Sequence, residues 1–176
     1  MVWSAGQREF VPLLLGMYWL VPPTKVSRRG SIEWVVLEEP EMGLHPRAIS
    51  VVLLMVLELV ARGYRVCVST HSPHVLEAVW VLRHLKENGV SSRELLNVFA
   101  APNTRQMLKL ADTVMQKTVK VFYFDRQTGQ TSDISELDPS DEAMGEAGWG
   151  GSTEFSGRAN EAVARAVASA ERGRRG

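Results

Sequence analysis

Residues 33–46 read EWVVLEEPEMGLHP, in which a short apolar run leads into two adjacent glutamates. Residues 34–37 are all apolar, a pattern typical of a strand that is buried on both faces of a parallel sheet. Glu38 and Glu39 follow where such a strand leaves the sheet, and Pro40 ends it. Neighbouring side chains on extended backbone point in opposite directions, so the two carboxylates can take different partners. Ligands of open α/β sheets bind beyond the carboxyl ends of the strands, which predicts a site here; a solvated loop is the alternative.

The chain from residue 46 to residue 100 predicts alternating helices and strands. The predicted elements are a helix over residues 46–62, a strand over 64–70, a helix over 74–88 and a strand over 95–100. Pro46 suits the first position of its helix, which is expected to be buried nearly all round, and Gly63 ends it. The second strand places His71 at its carboxyl end. Alternation with short connections is typical of βαβ units, so we predict an α/β fold with a mainly parallel sheet.

The flanking segments predict further helices, loops and a hairpin. Ser4 can cap a helix that carries apolar residues at helical spacing up to Leu20 and that begins near Pro12 or bends there. The other predictions are a basic loop over residues 21–31, a helix over 104–117, a β-hairpin with strands over 119–124 and 130–137, an acidic glycine-rich loop over 136–156 and a helix over 158–172. We expect residues 1–117 and 118–176 to be parts of one domain.

The composition is that of a globular chain without a dominant charge. The 176 residues are 45% hydrophobic and 23% charged, and the 20 basic residues balance the 20 acidic ones. This balance does not indicate a nucleic-acid-binding or membrane-binding surface at the level of the whole chain. The single cysteine, Cys67, fits a reducing compartment and is expected to be a small buried hydrophobe. The longest apolar runs are shorter than the ~20 residues that cross a bilayer, so we expect a cytoplasmic protein.

Three motifs in order carry a resemblance to a known family. They are SAGQRE at residues 4–9, VVLEEPEMGLHP at 35–46 and VSTHSPHVL at 68–76. Together they resemble the downstream half of an ABC-type ATPase head. More narrowly, they resemble the overcoming-lysogenization-defect group and its AAA-type relatives, which are similar to the heads of structural-maintenance-of-chromosomes proteins. The motifs cover residues 3–80, and the resemblance implies that residues 1–117 are the C-terminal portion of an ATPase head with a three-layer P-loop NTPase fold and with ATP and Mg²⁺ as ligands.

The resemblance implies a role for each residue around the paired glutamates. Glu38 would hold Mg²⁺, directly or through water, and Glu39 would be the general base that polarises the attacking water. His71 would donate a hydrogen bond to the γ-phosphate. Residues 41–46 resemble the loop that runs along the interface between two heads, in which His45 is expected to cap a turn.

The same resemblance implies that two heads enclose ATP between them. Ser4, Ala5, Gly6 and Gln7 would then face the nucleotide held by the opposite head, because a helix N-terminus favours phosphate. The family pattern often has two glycines in this motif, and Ala5 replaces one of them. The expected assembly is a homodimer or heterodimer formed through the ATP, in a DNA-repair or phage-defence setting.

The sequence contains no G-x-x-x-x-G-K-[ST] motif, and no glycine in it is followed by lysine. The phosphate-binding loop would therefore come from another chain or from upstream sequence, and we expect these residues alone to bind ATP weakly or not at all. One alternative is an interaction module that does not hydrolyse ATP. Another is a metal-dependent nuclease that uses Glu38, Glu39, Glu41 and His71, although the sequence has no Asp-x-Asp element. Contact of nucleic acid with the basic residues Lys25, Arg28 and Arg29 is a further alternative to a solvated loop.

Overall fold

The computed structural model describes residues 5–23 and 27–136. The helices and strands are α1 (Ala5–Leu20), β1 (Trp34–Glu38), α2 (Pro46–Ala61), β2 (Arg65–Ser69), α3 (Pro73–Glu87), α4 (Ser92–Val98), α5 (Arg105–Met115), β3 (Phe122–Phe124) and β4 (Thr131–Asp133). The chain divides into two compact units, residues 1–118 and 119–176. Ser4, the predicted terminal helix and all of the predicted acidic loop beyond residue 136 lie outside the described residues.

The predicted βαβ unit is confirmed. Strands β1 and β2 pair in parallel, with a register that runs from Trp34 opposite Arg65 to Glu38 opposite Ser69. Helix α2 connects them, with Pro46 at its first turn and Gly63 in a left-handed conformation just past its end. The fold is α/β, as the alternation of elements predicted.

The strand predicted over residues 95–100 is wrong, because this segment forms helix α4. The Ser91 side chain accepts a hydrogen bond from the amide of Arg93 at 3.3 Å and so caps the helix. Leu95 and Leu96 are both 1% exposed and lie in a core shared with α3 and α5. An apolar pair next to a serine cap suits a buried helical turn as well as a strand, and the packing between helices selects the helix.

The core of the first unit falls into two main apolar clusters. One lies under the sheet, between α1, β1 and α2, and is built from Met17, Val35, Val56, Leu59 and Tyr64. The other joins α3, α4 and α5 and is built from Leu82, Leu95, Leu96, Leu110, Ala111, Val114 and Met115. Helix α2 packs against both the sheet and α5. The expectation that it is buried nearly all round is wrong: its buried residues lie on one side, most of the others are half-buried, and Pro46, Arg47 and Val51 are exposed.

The prediction that the strands are buried on both faces is wrong. In β1, Val35 is 8% exposed, but Trp34 and Val36 on the opposite face are 58% and 73% exposed. Cys67, which lies opposite Val36 in β2, is also exposed rather than buried. The reason is that, among residues 5–23 and 27–136, α1 and α2 cover one face of the sheet only. We call the other side, formed by Trp34, Val36, Arg65 and Cys67, the open face.

Helix α1 begins at Ala5 and includes Pro12, so it does not begin at this proline, and the alternative of a bend there stays a prediction. A proline inside a helix removes one backbone hydrogen bond, which the packing of Met17 against the sheet offsets. The carboxyl end of α1 is held by the buried Tyr64. The hydroxyl of Tyr64 donates to the Leu20 carbonyl at 2.8 Å and accepts from the Arg29 amide at 2.6 Å.

In the second unit, the predicted hairpin is confirmed with shorter strands. Strands β3 and β4 pair antiparallel, from Phe122 opposite Asp133 to Phe124 opposite Thr131. In the turn between them, Asp125 accepts hydrogen bonds from the amides of Gln127 and Thr128 at 2.7 and 3.3 Å. Among the described residues, no helix is long and apolar enough to cross a membrane.

Candidate functional site

The structure brings Glu39 and His71 together at the carboxyl ends of two adjacent parallel strands. The Nε2 atom of His71 lies 3.5 Å from Oε1 of Glu39. The amide of Glu39 donates to the Ser69 carbonyl at 2.9 Å, so the pairing of the strands continues one residue beyond β1. The His71 side chain is 90% exposed and the Glu39 side chain 32% exposed. A carboxylate and an imidazole that lie side by side at the surface can accept a proton from a bound ligand or donate one to it.

Glu39 has a backbone conformation that few residues other than glycine adopt. Its φ angle is 41°, in the left-handed region. Such a conformation costs on the order of 1–3 kcal/mol and persists only where the surroundings impose it. Here the Glu39 carbonyl accepts the amide of Met42 at 2.9 Å, and Pro40 is buried, so a tight turn holds the residue. The turn redirects the chain at the end of the strand, where the side chain meets His71.

Glu38 is exposed at the last position of β1. Because side chains alternate along a strand, Glu38 shares the open face with Trp34 and Val36. Mg²⁺ in nucleotide sites commonly takes one or two carboxylates and completes its shell with phosphate oxygens and water. Glu38 fits that kind of site. Within the described part of the chain, no three acidic, histidine or cysteine side chains gather as they would in a metal site made by protein alone.

The loops that follow β1 and β2 are tied together by side chains. The hydroxyl of Thr70 donates to Oε1 of Glu41, and the amide of Ser72 donates to the Thr70 hydroxyl oxygen at 2.9 Å. Glu41 lies in the loop predicted over residues 41–46, whereas no role was predicted for Thr70. A threonine directly before a strand-end histidine is the one local signal that could have indicated it, since such hydroxyls bond nearby backbone amides.

His45 acts as the cap that the sequence predicted. Its Nδ1 accepts a hydrogen bond from the Arg47 amide at 3.3 Å, at the N-cap position of α2. This bond uses one of the amides that helical geometry leaves without an acceptor. His45 is therefore a structural residue at the end of the loop that begins after Glu39.

The residues expected to face a second nucleotide lie at the start of α1. Ala5, Gly6 and Gln7 form its first turn, where amides lack helical acceptors, whereas Ser4 lies outside the described residues. Their contribution to nucleotide binding stays a prediction, as do the chemical roles of Glu38, Glu39 and His71.

A comparison with protein families matches residues 2–77 to the family described as "AAA domain, putative AbiEii toxin, Type IV TA system". Residues 2–77 are therefore similar to an AAA-type, ATPase-like region. The match covers less than half of the 176 residues, but it includes β1, β2 and the pair formed by Glu39 and His71. This similarity favours nucleotide-binding, ATPase-like chemistry with Mg²⁺ in general. Neither the comparison with curated proteins nor that with solved structures found a match.

Proposed function

We propose that this chain supplies the catalytic residues of an ATP hydrolysis site in which two ATPase heads enclose the nucleotide. The observation that supports this proposal is the separation of 3.5 Å between the Glu39 carboxylate and the His71 imidazole at adjacent strand ends. The match of residues 2–77 to an AAA-type domain supports it independently.

Each residue then has a separate task. Glu39 accepts a hydrogen bond from the attacking water and orients it towards the γ-phosphate, a task that depends more on geometry than on basicity. His71 donates to a γ-phosphate oxygen from the neighbouring strand. Glu38 would hold Mg²⁺, which when bound neutralises charge on the phosphates. Residues 4–7 serve the nucleotide held by the opposite head through the positive end of α1.

The phosphate-binding loop of this site comes from sequence outside these 176 residues, either upstream or on a second polypeptide. The open face of the sheet supports this part of the proposal. Parallel sheets are normally covered on both sides, whereas Trp34 and Val36 are 58% and 73% exposed. A segment that brings the phosphate-binding loop, with its own strand and helix, would cover this apolar surface.

Release of phosphate from Mg-ATP tests the proposal. The chain is assayed alone and with the polypeptide, encoded upstream in frame or by a neighbouring gene, that carries a G-x-x-x-x-G-K-[ST] motif. We expect turnover only in the mixture, and a loss of about 100-fold or more with Glu39→Gln, the size of a general-base contribution. Glu94→Gln, an exposed glutamate on α4, is the matched control and should leave turnover unchanged.

A second candidate function is an interaction module that docks on another chain without hydrolysis, which the open face also favours. Binding of the second polypeptide without phosphate release in any mixture would leave only this function. The nuclease reading has less support, because Glu38, Glu39, Glu41 and His71 do not form a group of three metal ligands among the described residues.

A further inference from the structure

A chain of two hydrogen bonds connects the loop after β1 with the loop after β2. The Ser72 amide donates to the hydroxyl oxygen of Thr70 at 2.9 Å, and that hydroxyl in turn donates to Oε1 of Glu41. The two loops lie 29 residues apart in sequence at this contact. The hydroxyl of Thr70 therefore serves as acceptor and donor at once, which its single oxygen allows.

The contact is made by residues that are close in sequence to Glu39 and His71. Thr70 and Ser72 are the two sequence neighbours of His71, and Glu41 follows Glu39 by two positions. The His71 side chain is 90% exposed, so packing around its ring cannot fix its position. The backbone around His71 is held instead, because the Ser72 amide on one side donates a hydrogen bond to the Thr70 hydroxyl oxygen on the other.

Glu41 depends on Thr70 for its own orientation. The second carboxylate oxygen of Glu41, Oε2, is buried and accepts no hydrogen bond from the part of the chain that the structure describes. The hydroxyl of Thr70 is thus the side-chain partner seen for this carboxylate. Removal of either side chain should release the two loops from each other.

We propose that Thr70 and Glu41 are positioning residues that set the separation between Glu39 and His71. This inference rests on the proposed function only for its effect on turnover, because the separation itself can be measured without nucleotide. A misplacement of about 1 Å in a hydrolytic site can lower the rate by about two orders of magnitude. A contact that sets the separation between Glu39 and His71 can therefore change kcat.

The test uses the full chain with Thr70→Val and Glu41→Ala, which break the same hydrogen bond from opposite ends. Crystal structures of both variants should show the distance from Glu39 Oε1 to His71 Nε2 increased from 3.5 Å to beyond about 4 Å, the limit of a direct ion pair. Hydrogen exchange at the Ser72 amide should become faster in Thr70→Val. Thr70→Ser and Glu41→Gln keep the hydroxyl and the acceptor, and should restore the native distance.

In the mixture that releases phosphate from Mg-ATP, Thr70→Val and Glu41→Ala should lower kcat about tenfold to a hundredfold and leave KM within about twofold. The double variant should lose no more than the worse single variant, since both variants remove the hydrogen bond between Thr70 and Glu41. An unchanged separation in both folded variants would overturn the inference. A changed separation with turnover that is insensitive to Glu39→Gln would instead refute the proposed function and leave the positioning contact in place.

Discussion

Glu39 combines an unfavourable backbone conformation with a proposed catalytic role. Its φ of 41° suits glycine, yet a glutamate occupies the position. A residue that carries strain of this kind at the edge of a sheet indicates function when its side chain also meets a second reactive group, and His71 is that group.

The strain at Glu39 can be measured by substitution. Glu39→Gly should be more stable to unfolding than Glu39→Ala by about 1 kcal/mol, because only glycine adopts positive φ without a steric cost. Both variants lack the carboxylate, so the difference between their free energies of unfolding reports the cost of the backbone conformation. Chemical denaturation provides the free energies of unfolding. Equal stability of the two variants would mean that the turn imposes no strain on Glu39. Neither variant should support phosphate release, because both lack the carboxylate.

At the scale of elements, α4 ends in a second left-handed residue. Ala100 has a φ of 50° directly after the C-cap residue Phe99. The amides of Ala100 and Ala101 donate to the carbonyls of Asn97 and Leu96 at 3.0 and 2.8 Å, which closes the helix in the manner that usually employs glycine.

Ala100→Gly should therefore raise the free energy of unfolding by about 1 kcal/mol. Ala101→Gly is the matched control, since Ala101 has no positive φ, and it should be neutral or destabilising. Thermal unfolding of the two variants beside the parent chain provides the measurement. A decrease in stability with Ala100→Gly would contradict this account of the helix end.

The hairpin of β3 and β4 contains a carboxylate whose protonation should loosen it. Hydrogen bonds from the Ser135 hydroxyl and amide, and from Lys120, lower the pKa of Asp133 from 3.8 to about 2. A lowered pKa means that the folded state favours the charged carboxylate, so its contribution is present above about pH 4 and is lost as the pH falls through about 2.

The amide of Ser135 donates to Asp133, and the amide of Val121 donates to the Ser135 hydroxyl oxygen, so the chemical shifts of both amides should follow this titration. Their midpoint should lie near pH 2, and Asp133→Asn should remove the transition. The pKa of Asp125 is also lowered, by hydrogen bonds from the Gln127 amide and from Thr128, so its turn should persist at mildly acidic pH. A midpoint near 4 at Ser135 would show that these hydrogen bonds do not form in solution.

At the scale of the whole molecule, the open face is the surface on which the proposed polypeptide with a phosphate-binding loop would dock. Cys67 is exposed in its middle, beside Val36. A thiol reagent should modify Cys67 readily in the chain alone and slowly once the polypeptide that carries the loop is added. Modification at the same rate with and without that polypeptide would contradict docking on this face.

A pair of variants locates the docking surface. Val36→Glu places a charge on the open face, whereas Val98→Glu places one on the exposed side of α4; the two valines are 73% and 54% exposed. Only Val36→Glu should abolish the protection of Cys67, because it alone would bury a charge under the partner. Loss of protection with Val98→Glu as well would place the contact elsewhere.

The sequence by itself determined the βαβ order and the meeting of Glu39 and His71. Apolar runs, Pro46 and Gly63 are local signals, and parallel strands joined by one helix must end at the same edge. The three-dimensional packing alone decided that residues 92–98 are helical, that Glu39 is left-handed and that Thr70 bonds Glu41. It also decided that one face of the sheet stays uncovered in the described residues. Each of these involves contacts between segments far apart in the chain, such as the hydrogen bond from the Glu39 amide to the Ser69 carbonyl, and a local sequence pattern does not reveal such contacts.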